Sequence, residues 1–273
     1  MKKSLSIIGL AALLLINASA ATLITDPFNY TTGNALSGDN GNSWTNTSAN
    51  ITVASGNLSY PSYAASSGNM VSVVGGGSAQ DSAIGFSSTN SGTIYYSFLL
   101  NVSSLSSGAS NYALAELKTT TGGTAYDTLF YSRVSSSSYN LGLGQGVTNG
   151  NGSIYSGATL STGATALVVV GYTFVAGSNN DTVSLWVNPS SSTFSAASAP
   201  TANFTYTNTS DPTALSAFAF RATSVTTNFN ADELRVATSW SEAVVPEPKT
   251  WVMIGIGTSF MLWNLRRKRN LVG

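Results

Sequence analysis

Carboxylates are the side chains of this sequence with the widest chemical scope, because other common catalytic and metal-binding groups are missing. The chain contains no histidine and no cysteine. Histidine is the commonest general base and metal ligand, and cysteine supplies thiol nucleophiles, disulfides and zinc sites. Their absence excludes Ser-His-Asp triads, Cys-His proteases and most zinc hydrolases. Acid–base catalysis by Asp and Glu remains, as does calcium binding through oxygen ligands.

Hydrolysis of a glycosidic bond requires two carboxyl groups about 5 to 9.5 Å apart. Residues i and i+2 of a strand share one face about 6.6–6.8 Å apart, so an E-x-D spacing would supply such a pair. The sequence offers no such run: Glu116 is followed two positions later by Lys118, and Asp127 stands alone. Asp232 and Glu233 are neighbours, and neighbours on a regular strand point to opposite faces. We therefore predict that the chain is not an enzyme.

The charge balance of the central region excludes nucleic acid as a partner. Between residues 21 and 244 the sequence has four basic and ten acidic residues, a net charge of −6. Basic residues at the two ends of the chain hide this deficit in the overall net charge of zero. Proteins that bind DNA or RNA need a basic patch, and this region has too few cations to form one.

Short β-rich runs separated by Gly, Ser, Asn and Asp dominate the central region. Thr93 to Val102 is dense in aromatic and β-branched residues, and Ala166 to Val175 is apolar on both faces. Ile51 to Tyr60 alternates apolar and polar residues around a turn at Gly56-Asn57. Such runs without helical periodicity predict an all-β fold, an antiparallel β-sandwich. The alternative is a repetitive β-solenoid, and no fixed period supports it.

The N-terminus has the features of a secretory signal peptide. Two lysines precede an apolar run from Leu5 to Ile16, and Ala18 and Ala20 supply the small residues that signal peptidase requires. We predict that residues 1–20 form the signal peptide and that cleavage follows Ala20. The alternative is an uncleaved anchor, for which the apolar run is shorter than the about 20 residues of a membrane-spanning helix.

Residues 245–273 contain three elements in a fixed order. The first is a VPEP motif formed by Val245, Pro246, Glu247 and Pro248. An apolar run over about residues 250–265 follows, and it would span about 24 Å as one transmembrane helix. The last element is a basic cluster that favours the cytoplasmic side of the membrane: Arg266, Arg267, Lys268 and Arg269.

This order of motif, apolar run and basic cluster resembles the PEP-CTERM protein-sorting signal. A plain transmembrane anchor is the alternative, but it does not account for the VPEP motif. The resemblance implies recognition by an exosortase-type peptidase, cleavage near the motif, and transient anchoring in the inner membrane. Transfer to the cell surface or extracellular matrix then follows. We predict a signal peptide at 1–20, a β-sandwich body at 21–244 and a sorting signal at 245–273.

Three short motifs resemble the ends of concanavalin A-like, laminin G-type jelly rolls. They are Asp26-Pro27-Phe28, a loop rich in Gly and Asn around Trp44, and the segment Asp232 to Val236. The resemblance implies that the first and last strands pair and that calcium, where bound, lies where they meet. Asp26 and Asp232 are then the candidate metal ligands. The alternative is that both carboxylates hydrogen-bond neighbouring turns, and no other cofactor is predicted.

These features predict an exported cell-surface or matrix protein with a non-catalytic structural or adhesive role in an exopolysaccharide layer. The alternative is a lectin-like carbohydrate-binding module, with or without calcium dependence. A carbohydrate-active enzyme is the least favoured hypothesis. The expected partners are an exosortase-type peptidase, the inner membrane and an extracellular polysaccharide.

Overall fold

Aromatic and β-branched residues alternate with small polar ones through most of the chain, and this pattern produces strands. The computed structural model of the protein describes residues 21–38, 41–46, 48–108, 112–146 and 152–244. Within these residues the chain forms fifteen strands, a turn of 3-10 helix at Ser191–Thr193, and one short helix, α1, at Trp240–Ala243. The strands are β1 (Thr22–Asp26), β2 (Trp44–Thr45), β3 (Ile51–Ala54), β4 (Met70–Val74), β5 (Gln80–Thr89), β6 (Thr93–Ser104), β7 (Tyr112–Lys118), β8 (Ala125–Ser135), β9 (Ser138–Gly144), β10 (Gly152–Ser161), β11 (Thr165–Thr173), β12 (Thr182–Val187), β13 (Phe204–Thr207), β14 (Leu215–Ala222) and β15 (Asn228–Ala237).

The strands form two antiparallel sheets that pack face to face. Sheet A has the order β13-β12-β11-β6-β15-β4-β3, and β1 also pairs with β15. Sheet B has the order β10-β9-β8-β7-β14-β5-β2. The prediction of an all-β antiparallel sandwich is therefore confirmed. The first strand pairs with the last, as the jelly-roll resemblance implies: Thr22 lies opposite Ala237, and Asp26 lies opposite Leu234.

Aromatic rings fill the space between the two sheets. The ring of Phe98 in sheet A lies 5.3 Å from that of Phe220 in sheet B, edge to face. Tyr96 and Phe218 form a second such pair at 5.2 Å, and Trp44 stacks on Phe220 at 5.9 Å. These side chains are all buried. Ring contacts of this kind stabilise a core beyond the effect of buried area alone, and they fix the two sheets in register.

A second apolar layer covers the outer face of sheet A. Leu99, Leu167 and Val169 point away from the space between the sheets and belong to a cluster with Trp186 and Trp240. The central strands of sheet A are therefore buried on both faces. This explains the continuous apolar run that the sequence shows in β11.

The predictions for the two ends of the chain fall outside the described residues. They concern the signal peptide at 1–20, the VPEP motif, the apolar run at about 250–265 and the basic cluster. None of them is tested by the structure, so they stay predictions. Among the residues that the structure describes, no helix has the length and apolar character needed to cross a membrane.

Candidate functional site

The outer face of sheet B points away from the space between the sheets, and small residues form most of its floor. The core-facing residues of the same strands, such as Leu117 and Phe218, are large and belong to the central core. Many of the outward positions between them have short or absent side chains, although Phe130 of β8 is large. The small residues are Ala83, Gly85, Thr128, Gly142, Gly144, Ala217 and Ala219. Charged side chains on the same face can therefore lie flat across neighbouring strands.

Four charged side chains on this face form one network, which we call the charged cluster: Asp81, Glu116, Lys118 and Arg221. Lys118 Nζ lies 2.5 Å from Asp81 Oδ2 and 3.3 Å from Glu116 Oε1. Arg221 Nη1 forms an ion pair with Asp81 Oδ1. Two cations thus balance two anions. Asp81 and Arg221 form the accessible rim, since their side chains are 15% and 17% exposed.

The register of three adjacent strands assembles the charged cluster. Arg221 of β14 lies directly opposite Asp81 of β5. On the other side of β14, Ala219 lies opposite Glu116, and Ala217 lies opposite Lys118 of β7. The small alanines of β14 let the lysine side chain cross that strand and reach the aspartate on the far side.

Glu116 is a strongly perturbed member of the charged cluster. Its side chain is fully buried, and Lys118 Nζ lies 3.3 Å from its Oε1. Burial, together with the charge of Asp81, raises the pKa of Glu116 to about 7 against the opposing effects of Lys118 and Arg221. A carboxyl group with such a pKa can donate or accept a proton near neutral pH.

An open pocket of about 670 Å³ lies at the edge of sheet B, where β5 and β14 approach the turn between β7 and β8, and Leu23 of β1 in sheet A also lines it. Four of its lining residues carry hydroxyl groups: Ser87, Thr120, Thr121 and Ser216. Leu23, Gly85 and Phe86 complete the lining. The pocket adjoins the charged cluster because Lys118 is the last residue of β7 before this turn.

Hydrogen bonds hold the turn that forms one wall of the pocket. Thr119 N donates to Thr124 O at 3.0 Å, which closes the turn. Ser216 Oγ of β14 donates to Thr119 O at 2.6 Å, and Asn46 Nδ2 donates to Thr121 O at 2.7 Å. Because Asn46 follows β2 at the edge of sheet B, the turn is fastened from two directions. The wall of the pocket is therefore preformed.

The predicted calcium ligand Asp26 lies in a compact hydrogen-bond set at the end of β1. Its Oδ1 accepts a hydrogen bond from Phe28 N at 2.8 Å. Its Oδ2 accepts from the Tyr30 hydroxyl at 2.8 Å and from Trp44 Nε1 at 2.7 Å. Protein donors therefore engage both carboxylate oxygens and fix the path of the chain after the first strand.

A β-bulge places the other predicted ligand. The register of β15 shifts between Asp232 and Arg235, and Glu233 has a φ of 52°. Asp232 Oδ2 accepts from Leu58 N at 2.8 Å, and Glu233 Oε1 accepts from Ser67 N at 2.7 Å. The expectation that these two carboxylates point to opposite faces is wrong, because the bulge turns both towards the segment 58–67 above sheet A.

The calcium prediction for Asp26 and Asp232 stays a prediction. Burial raises the pKa of Asp232 to about 7, against the hydrogen bonds from the backbone of Leu58 and Glu233. Across the described part of the chain, no group of three or more Asp, Glu, His or Cys side chains is arranged to hold a metal ion. The structure thus shows protein donors at both carboxylates.

No protein-family model matches this sequence, and no curated protein matches it. Several solved structures are similar to this chain at low identity. A carbohydrate esterase from Shiga toxin-encoding bacteriophage phi24B is 12% identical, with 81% of this chain and 99% of that one covered and a TM-score of 0.45. The alginate lyase AlyA1 from Zobellia galactanivorans is 14% identical, with 66% of this chain and 81% of that one covered and a TM-score of 0.39. Peanut lectin is 8% identical, with 80% of this chain and 97% of that one covered and a TM-score of 0.39.

The strand pairing shows the two-sheet sandwich, and the similar structures include carbohydrate-binding and lectin-like proteins. The similar structures contradict the prediction that the chain is not an enzyme, because alginate lyases and a carbohydrate esterase are also among them. That prediction rested on the absence of an E-x-D run within one strand. The charged cluster shows why the argument is insufficient: Asp81 and Glu116 meet on one face from two different strands.

The charged cluster and the pocket are the candidate functional residues that sequence reasoning missed. One signal was available, because Glu116 and Lys118 lie two positions apart on a predicted strand and must share a face. Asp81 and Arg221 could not be added to them without the order and register of β5, β14 and β7. The pocket depends on the same register and on the turn after β7.

Proposed function

We propose that this chain is an exported protein that binds a neutral polysaccharide in the open pocket at the edge of sheet B. The observation that carries the proposal is the open pocket of about 670 Å³ beside the charged cluster. Ligand sites typically have volumes of about 300–1,000 Å³ and combine an apolar lining with a few placed polar groups.

The lining of the pocket has the chemistry that a sugar ring requires. Serine and threonine hydroxyls both donate and accept hydrogen bonds, which suits the hydroxyl groups of a sugar. Phe86 and Leu23 offer apolar surface to the C–H groups of the ring. At the rim, Asp81 and Arg221 are partly exposed and can make charge-assisted hydrogen bonds to further hydroxyls of a longer chain.

The balance of charge favours a neutral ligand over an acidic one. Both cations of the charged cluster are already paired with carboxylates. Residues 21–244 carry four basic and ten acidic residues, so an acidic polysaccharide would approach a region of the same sign. A neutral polysaccharide meets no such repulsion. Its binding is also expected to change little with ionic strength.

A glycan array tests this proposal. The full-length protein in mild detergent is applied to neutral, acidic and amino-containing polysaccharides at low and at high sodium chloride. The expected result is binding to neutral polysaccharides that persists at high salt. Binding confined to acidic polysaccharides and lost at high salt would contradict the proposal. The same array with a chelator tests the predicted calcium dependence, for which Asp26 and Asp232 remain the candidate ligands.

Catalysis at the charged cluster beside the pocket is a second candidate function, and Glu116 is the observation that favours it. Its pKa of about 7 suits a general acid. Lys118 Nζ lies 2.5 Å from Asp81 and 3.3 Å from Glu116, so the nearest oxygens of the two carboxyls are at most about 6 Å apart; glycosidases place their two carboxyl groups about 5–9.5 Å apart. Release of reducing ends from a bound polysaccharide, lost in Glu116→Gln, would establish catalysis. Binding without release would exclude it.

Export and sorting form the other part of the proposal. The signal peptide, the VPEP motif and the basic cluster support secretion, processing by an exosortase-type peptidase and delivery to the cell surface or matrix. Intact mass and cell fractionation of the native protein test this, with Pro246→Ala, Glu247→Ala and Pro248→Ala combined as the control. Loss of both ends, blocked at the C-terminus by the control, is expected. An intact C-terminus kept in the inner membrane would contradict processing.

A further inference from the structure

The two ends of the described chain meet at one end of the sandwich. Ala21 N donates to Thr238 Oγ1 at 3.0 Å, and Thr238 N donates to Ala21 O at 2.9 Å. Thr22 Oγ1 donates to Glu242 Oε2 of α1 at 2.6 Å. Residues more than two hundred positions apart in the sequence are thus joined by direct hydrogen bonds. We call this region, formed by Ala21, Thr22, Thr238 and α1, the α1 end.

Helix α1 is firmly docked on sheet A and holds the last described residues in place. Trp240 is 1% exposed, and its Nε1 donates to Thr193 O at 2.8 Å. Ser97 Oγ of β6 donates to Ala243 O at 2.5 Å, and Val244 is fully buried. The chain therefore leaves the sandwich at a fixed point directly after Val244.

Only a short tether separates this point from the apolar run near the C-terminus. Residues 245–249 lie between Val244 and the run that begins at about residue 250. Five extended residues reach at most about 18 Å. Because headgroup layers alone add about 5–7 Å on each side of the hydrocarbon core, Val244 would lie close to the lipid headgroups whenever the run spans a bilayer. The predicted signal peptide leaves from the same end, at Ala21.

We propose that, until the C-terminal anchor is removed, the α1 end is the membrane-facing surface of this protein and rests against lipid headgroups. This inference depends on the membrane anchoring included in the proposed function. The α1 end carries the acidic side chains of Glu242, Asp181 and Asp211, which are not attracted to an anionic membrane surface. The docked helix and the short tether, rather than charge, therefore hold this end against the membrane. The opposite end of the sandwich then points away from the membrane.

The hairpins at the two ends can be assigned from the register. Thr93 lies opposite Thr173, and Tyr95 lies opposite Ala237, so the turns at 90–92 and 174–181 belong to the α1 end. Val74 lies opposite Asn228, so the turns at 75–79 and 223–227 belong to the far end. Along β6, whose twelve residues connect the two ends, the separation is about 40 Å.

Single-cysteine labelling measures this orientation, because the chain has no native cysteine. Two variants place a dye at the α1 end, Asn90→Cys and Ala176→Cys, and two place it at the far end, Ser78→Cys and Thr226→Cys. All four positions are exposed loop residues. The labelled full-length protein is reconstituted into phosphatidylcholine vesicles that carry an acceptor dye on the headgroups, and energy transfer is recorded after flotation.

The expected result is energy transfer about twofold or more higher from both α1-end labels than from both far-end labels, given a separation of about 40 Å. Equal transfer from the four positions, or higher transfer from the far end, would overturn the proposed orientation while leaving anchoring intact. Failure of the protein to float with the vesicles would instead overturn the anchoring and the orientation together. The glycan array uses protein in detergent without a bilayer, so its outcome is read separately from both results.

Discussion

Replacing Glu116 by glutamine is expected to remove a large part of the pH dependence of folding stability. Burial raises the pKa of this carboxyl from 4.5 to about 7 in the folded protein. Between these values the unfolded chain loses the proton while the folded chain keeps it. The free energy of unfolding therefore falls as the pH rises through this window, and the stabilising effect of the bound proton is fully present only below about pH 4.5.

The size of the effect follows from the pKa difference. Each unit corresponds to 1.36 kcal/mol, so the fall attributable to Glu116 between pH 4.5 and 7 is about 3 kcal/mol. Asp232 has a pKa raised from 3.8 to about 7 and adds a fall of its own, which the Glu116→Gln protein keeps. The variant should therefore lose part of the pH dependence and retain the rest.

Urea unfolding from pH 4.5 to pH 8, followed by tryptophan fluorescence of the full-length protein in detergent, measures this difference. The matched control is Glu242→Gln, which removes a carboxyl from helix α1 instead of the face of sheet B. Stability of Glu116→Gln should fall by about 3 kcal/mol less than that of the wild type over this range. The same fall in Glu116→Gln, Glu242→Gln and the wild type would refute the reasoning about burial of Glu116.

Three further predictions concern the packing of the sandwich, each tested by urea unfolding at pH 7 and the first also at pH 4.5. Asp127 is fully buried near Tyr96, and burial raises its pKa well above the usual range, so Asp127→Asn should cost less at pH 7 than at pH 4.5; an equal cost at the two pH values would contradict a raised pKa. A Cβ at Gly171 would lie 3.0 Å from two ring carbons of Tyr95, so Gly171→Ala should cost about 1–3 kcal/mol; unchanged stability would show that the ring moves freely. Trp240→Ala should cost about 3–5 kcal/mol and expose α1 to proteases, and wild-type protease resistance would show that α1 is not docked through this ring.

The sheets could be predicted from the sequence where burial alone sets the pattern. The apolar run in β11 and the aromatic run in β6 both form central strands of sheet A. Ile51 to Tyr60 shows where the pattern misleads. Only Ile51–Ala54 forms a strand, because Leu58 leaves the sheet to pack in the apolar layer above sheet A, where its backbone N–H binds Asp232. Apolar spacing cannot distinguish a strand residue from a loop residue that covers a sheet.

The candidate site could be predicted only in part for a related reason. The spacing of Glu116 and Lys118 places both on one face of β7, and this much is local information. Asp81 joins them only because β14 lies between β5 and β7 and presents alanines at the crossing. Likewise, the bulge that turns Glu233 next to Asp232 is a departure from strand geometry that no alternation pattern contains.

A variant with a side chain that fills the pocket at the edge of sheet B tests whether a neutral polysaccharide binds there. Gly85 lines the pocket, and a Cβ built there has only ordinary contacts, at 3.8 Å to Ser216 O and Thr121 Cγ2. Gly85→Leu should therefore fill the pocket without straining the backbone. Gly122→Ala, in the neighbouring turn and facing open space, is the matched control.

Titration of both variants with the neutral polysaccharide that binds best on the array gives the answer. We expect at least a tenfold loss of affinity for Gly85→Leu, equivalent to about 1.4 kcal/mol, and wild-type affinity for Gly122→Ala. Wild-type affinity in a folded Gly85→Leu protein would contradict binding of the polysaccharide in the pocket.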